Sequence, residues 1–104
     1  LYDIYHMQIM EGDLIRTIRA HHRHFGHYHF AGNPGRNEPN DAQEINYPAV
    51  LEALATVNPN ASVGHEYVPT KNLEEALRES FYLVSEAGRR ARGFAPSLFE
   101  SWTE

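Results

Sequence analysis

Six side chains able to bind a metal ion or move a proton stand where extended, apolar stretches give way to loops: Asp3 and His6, His27 and His29, His65 and Glu66. Carboxylates and imidazoles exchange protons near neutral pH and offer oxygen and nitrogen donors to cations. Side chains alternate along a strand, so His27 and His29 share one face while Tyr28 and Phe30 take the other. A carboxylate, an imidazole and a second carboxylate arriving from three neighbouring strands suit Mg²⁺ or Mn²⁺, with Zn²⁺ or Co²⁺ as less favoured occupants, because oxygen-rich sites prefer harder ions. In barrels assembled from βα units, that end of the strands is where active sites form.

The elements that must position these groups alternate three times between strand and helix, which predicts an α/β fold with parallel strands in the order βα, βα, βα. The first strand is expected over residues 1 to 7. A loop of Met10, Glu11 and Gly12 follows, with Asp13 as N-cap, and Leu14, Ile15, Ile18, His22 and Phe25 recur at helical spacing until Gly26. The second strand is expected over residues 27 to 31, feeding a loop crowded with Gly32, Asn33, Pro34, Gly35, Asn37, Pro39 and Asn40. Long βα connections of this kind carry function. Asn46 is placed to cap a second helix whose apolar face is Val50, Leu51, Leu54 and Val57, ended by Asn58, Pro59 and Asn60. A third strand is expected over residues 62 to 68. Asn72 with Glu75 then opens a third helix, along which Leu73, Ala76, Leu77, Phe81, Val84 and Ala87 form one apolar stripe. The domain therefore covers residues 1 to 92, and the tail from 93 to 104, with Phe94, Pro96, Leu98, Phe99 and Trp102 but no periodicity, is expected to lie irregularly over the surface.

A parallel sheet of three strands has two open edges and too few helices to cover it. The expectation is a piece of a larger α/β fold, completed by the remainder of a barrel or by homo-oligomerisation. Leu1, Ile4 and Tyr5 enter an apolar run with no polar lead-in, as a chain entered in mid-fold would.

Composition narrows the function classes. The 104 residues carry a net charge of −5 with scattered Lys and Arg, which argues against a nucleic-acid partner. No cysteine is present, excluding disulfides and thiolate metal sites. No apolar run approaches the ~20 residues that span a bilayer, so no membrane partner is expected and the cytoplasm is the expected compartment.

Taken together, Asp3-Ile4-Tyr5-His6, Gly26-His27-Tyr28-His29, Pro34-Gly35-Arg36 with Glu38-Pro39, Glu44-Ile45-Asn46-Tyr47-Pro48, and Gly64-His65-Glu66-Tyr67 occur in an order and at spacings that resemble the hydroxypyruvate isomerase family. This family sits in the xylose isomerase-like TIM-barrel superfamily of sugar phosphate isomerases and epimerases. The resemblance runs to about Arg92 and implies the C-terminal portion of a (β/α)8 TIM barrel, its last three βα units. It further implies a divalent ion held by Asp3, His29 and Glu66, a catalytic role for Glu66, and substrate contacts from His6 and Arg36. The family's first glutamate ligand, one of its two acid/base carboxylates, falls before Leu1. The implied reaction is isomerisation of a small hydroxy-carbonyl substrate, hydroxypyruvate to 2-hydroxy-3-oxopropanoate, through a cis-enediolate. Arg36 would grip the substrate carboxylate bidentately.

Plainer roles stand beside these. His27 is expected in the core or behind the ligands, and His65, facing away from Glu66, is expected to be structural. His21, His22 and His24 sit at a helix C-terminus, where the dipole favours them. Glu38 and Glu44 either orient Arg36 or cap the next helix, and Arg89, Arg90 and Arg92 form a solvated helix end. Three competing functions remain: a ketose 3-epimerase, an endonuclease IV-like nuclease that the acidic balance disfavours, and a catalytically incomplete binding subunit.

Overall fold

The structure, a computed structural model, describes residues 1 to 93, and the expected surface tail from residue 94 onward lies outside the described residues. The elements in order are β1 (Tyr2–Asp3), α1 (Ile4–Met10), α2 (Leu14–His21), a 3₁₀ turn (His22–His24), β2 (His27–Phe30), α3 (Tyr47–Val57), β3 (Ser62–His65) and α4 (Leu73–Ala91). The strands form one parallel sheet in the order β1-β2-β3. The α/β class and the parallel sheet are as the sequence predicts. Among the described residues, no helix is long and apolar enough to cross a membrane.

Register divides the sheet into a greasy face and a polar one. Tyr2 pairs with Tyr28, Tyr28 with Val63, and Phe30 with His65, while Asp3 pairs with His29 and His29 with Gly64. Because side chains alternate, the first set faces the helices and the second shares the opposite face. Tyr2, Tyr28 and Phe30 are buried in one core with Ile4, Leu14, Ile18, Tyr47, Val50, Leu51 and Leu54. The edge-on contacts of Tyr28 with Phe25 and of Phe30 with Tyr47 follow the preference of aromatic quadrupoles.

Side-chain caps set several boundaries. Asn46 accepts from the Ala49 N–H and Asn72 from the Glu75 N–H, each worth about 1 kcal/mol to its helix. At the other end of α3, the Asn58 amide donates to the carbonyls of His22 and Phe25 and to the Tyr28 hydroxyl, tying the helix end to the entry of β2. Tyr47 both donates to the Ala31 carbonyl (2.7 Å) and accepts the Ala31 N–H (3.1 Å). It thereby supplies the partners that a longer β1 would otherwise have offered. Burial pushes the Tyr47 phenol well above its ordinary pKa and keeps it a donor.

Four sequence expectations change. The first strand is two residues long, not seven, because the Asp3 side chain accepts the His6 N–H (2.9 Å) and starts a helix at Ile4. Asp13 makes no side-chain cap; it adopts a left-handed backbone (φ 50°) and its carboxylate takes Arg16 instead, and α2 ends at His21, ahead of Gly26. The third strand stops at His65 rather than at residue 68, since beyond it the Val68 N–H bonds to the Arg36 carbonyl of a loop. The stripe on α4 splits. Ala76 and Ala87 are buried, as is Ser80, which bonds to His65 and Tyr67, whereas Leu73 and Phe81 are each 58% exposed and Leu77 is exposed beside them.

Candidate metal and substrate site

Asp3, His29 and Glu66 come together at the C-terminal ends of the three strands, on the polar face of the sheet. One ligand-capable atom from each lies within 4.8 Å of the others. His29 Nδ1 is 2.8 Å from Oε2 of Glu66 and 3.8 Å from Oδ2 of Asp3. Donors around one divalent ion, each ~2.1 Å from it, lie roughly 3–4 Å apart. The His29–Glu66 and His29–Asp3 spacings thus lie close to what an ion requires, and only the 4.8 Å outer limit of the set exceeds it. Two carboxylates and one imidazole form an oxygen-rich donor set of the kind that fits Mg²⁺ or Mn²⁺.

Arg36 and Tyr5 stand beside Glu66. Its Oε1 accepts from Nη2 of Arg36 at 2.6 Å, and the Arg36 guanidinium lies over the Tyr5 ring, 5.6 Å from its centroid. Arg36 has a left-handed backbone (φ 59°) following Gly35 (φ 93°), a tight reversal that turns its side chain back to the strand ends. The reversal closes with the Arg36 N–H on the Gly32 carbonyl and the Gly32 N–H on the Asn37 carbonyl. Gly32 must be small, since a Cβ there would lie 2.6 Å from the Glu38 carbonyl oxygen.

Two loops are laced to hold Arg36 and Glu66 together. The Arg36 carbonyl accepts the Val68 N–H and the Asn37 amide donates to the Val68 carbonyl. Next along the loop, the buried Glu38 carboxylate accepts the Thr70 N–H and hydroxyl and the Lys71 N–H, all within 3.1 Å. Burial acts to raise the Glu38 pKa, but these hydrogen bonds and one from its own N–H outweigh it and hold the carboxyl below its usual range. Glu38 therefore neither orients Arg36 nor caps a helix. Its role is to clamp the loop after β2 to the loop after β3, which sequence spacing does not signal.

The remaining site residues fall as follows. His6 lies on the first turn of α1 rather than on a strand; its exposed ring packs edge-on against Tyr5, and its N–H is the group Asp3 holds. His27 sits behind His29, ring against ring at 4.7 Å, with Nδ1 bonded to Ser62 Oγ at 2.6 Å. His65 packs on Phe30 and bonds to Ser80, on the face away from the ligands. Gly64, which the sequence marks only as the start of the Gly64-His65-Glu66-Tyr67 segment, lies under His29: a Cβ there would be 2.7 Å from His29 Cδ2 and 3.2 Å from His27 Nε2. Its meaning becomes visible only once the register opposes it to His29.

Comparison with known proteins bears on this geometry. The family model described as xylose isomerase-like TIM barrel matches residues 1 to 85. The chain is 43% identical over 77 residues to hydroxypyruvate isomerase of Escherichia coli (strain K12), covering 74% of this chain and 30% of that protein. It is 40% identical over 76 residues to 2-oxo-tetronate isomerase of Cupriavidus necator, covering 73% and 29%. Among solved structures, the crystal structure of AP endonuclease, family 2 from Brucella melitensis matches with a TM-score of 0.68 and 42% identity, over 73% of this chain and 29% of that one. The matched part of the chain thus spans about three-tenths of the length of these relatives. The match occupies the N-terminal part of this chain and does not reach Arg92. It corrects the placement as a barrel's last three units to the coarser statement, an α/β segment with a parallel sheet.

Proposed function

The chain belongs to the xylose isomerase-like TIM barrel family, and from that premise we propose that it serves isomerisation of a small 2-oxo acid, hydroxypyruvate to 2-hydroxy-3-oxopropanoate. The observation that carries this reading is the convergence of Asp3, His29 and Glu66 within 4.8 Å, with the Arg36 guanidinium 2.6 Å from Glu66. The names of relatives, hydroxypyruvate isomerase and 2-oxo-tetronate isomerase, point to substrates that carry a carboxylate beside a carbonyl.

Asp3, His29 and Glu66 would hold one divalent ion, Mg²⁺ or Mn²⁺ ahead of Zn²⁺ or Co²⁺. When bound, such an ion supplies the positive charge that stabilises oxyanions beside it. Arg36 would bind the substrate carboxylate through its planar fork. Glu66, exposed enough to meet substrate, would take a proton from C3 of hydroxypyruvate; return of a proton to C2, with the O3 hydroxyl proton replaced by one gained at O2, completes the 2-hydroxy aldehyde with no net oxidation. His6, on the turn above Asp3, would contact substrate oxygens. The further carboxylate that the family resemblance calls for is not part of this group among the described residues.

With Mg²⁺ and hydroxypyruvate in deuterated water, proton NMR should show deuterium entering C2 of the product, and Glu66→Gln should slow this by ~10²-fold or more. An unchanged rate in Glu66→Gln would remove Glu66 from the mechanism. A ketose 3-epimerase would yield no aldehyde, which the same spectra distinguish. A binding subunit without activity of its own would show no exchange at all.

A further inference from the structure

Arg36 faces a choice of partners. It is held on the Tyr5 ring within reach of Glu66, one of the three candidate ligands, and it is also the group assigned to the substrate carboxylate. One guanidinium cannot give its full fork to both. We propose that metal loading and carboxylate binding are coupled through Arg36: without an ion Arg36 neutralises Glu66, and an ion at the three-ligand site releases Arg36 to a substrate carboxylate.

The charges at the site set the direction of the coupling. Among the three side chains Asp3, Glu66 and Arg36 the formal charges sum to −1, so an incoming anion is repelled. A divalent cation turns the balance to +1, and a monocarboxylate then brings it to zero. At separations of a few ångströms and only partial exposure, such differences are not fully screened. Tyr5 is the positioning residue in this scheme. Its ring supports the guanidinium by a cation–π contact that does not depend on which carboxylate the fork engages, so Arg36 turns between two partners from one platform. The left-handed backbone at Arg36, laced to Val68, keeps the base of the side chain fixed during the exchange. The substrate class that follows is a hydroxy-carbonyl compound bearing a carboxylate, rather than a neutral sugar.

This inference rests on the proposed three-ligand metal site, and the test separates the two. Mn²⁺ affinity is measured by equilibrium dialysis on the protein alone, with saturating hydroxypyruvate, and with saturating glycolaldehyde, which keeps the hydroxy-carbonyl and lacks the carboxylate; solution chelation by each compound is subtracted. The expected result is a tightening of about tenfold, within the usual range of coupling between sites, with hydroxypyruvate and not with glycolaldehyde. In Arg36→Met the tightening should vanish while Mn²⁺ alone binds at least as well as to the native protein, because a competitor for Glu66 is gone. Mn²⁺ binding that is equal under all three conditions overturns the coupling and leaves the metal site standing. Absence of Mn²⁺ binding in the native protein overturns both.

Discussion

Beneath His29 the sheet offers a floor and nothing more: Gly64 is opposite it in register, and the space a methyl group would take is filled by the imidazole. Gly64→Ala would therefore push the ring off its line toward Asp3 and Glu66. We expect Mn²⁺ affinity to fall by about 10- to 100-fold, the size of effect seen when a group supporting a ligand is disturbed. A metal titration of the folded variant checks this, and unaltered affinity would mean that His29 is not a ligand. At this scale much was legible beforehand. Strand alternation alone placed His27 and His29 together, and strand ends brought Asp3 and Glu66 to the same level. What could not be read was the partner of each group, because Arg36 and Glu66, 30 residues apart, meet only through the lacing of two loops.

Elements differ from their sequence signals where a side chain competes with the backbone pattern. The apolar run at the start reads as a strand, yet Asp3 captures an amide three residues on and turns the chain into a helix. Conversely, the clamp at Glu38 gives the long loop a rigidity that its glycines and prolines do not suggest. Because the folded-state pKa of Glu38 is lowered, its contribution to stability is present above the unfolded-state value of ~4.3 and is lost as pH falls through the folded-state value. Glu38→Gln should cost ~1–3 kcal/mol at pH 7, the loss expected when buried donors lose their acceptor. That difference between native protein and variant should shrink on acidification toward pH 3, as urea unfolding at the two pH values would show. A constant difference would indicate that shape rather than charge holds the loops. The stripe on α4 shows the opposite limit of pattern reading. Periodicity identifies the apolar residues of a helix but not which neighbour lies on which side, so Leu73, Leu77 and Phe81 read as core alongside Ala76 and Ala87.

For the molecule as a whole, the net charge of −5 sets its behaviour toward polyanions. One relative of known structure carries an endonuclease title, and a shared fold does not transfer an activity. Binding to a DNA backbone depends on displacing counterions with clustered Lys and Arg. We expect no binding of a labelled duplex, with or without an abasic site, at ~10 μM protein and 0.15 M salt in fluorescence anisotropy; saturable binding under those conditions would favour the nuclease reading. The sheet class and order of units were legible from alternation of strand and helix, whereas the extent of the surrounding fold is not encoded in the local patterns of these residues.

The two oxygens of Asp3 are divided between different tasks: Oδ1 accepts the His6 amide, the third of its helix, and Oδ2 looks toward His29. Any cation drawn to Oδ2 withdraws electron density from the carboxylate that Oδ1 shares, and so weakens its acceptance of the His6 amide proton. That proton is a resident spectroscopic probe. In ¹⁵N-labelled protein its resonance should move upfield as a diamagnetic ion such as Mg²⁺ is added, tracing occupancy from a position outside the coordination sphere and without any substrate.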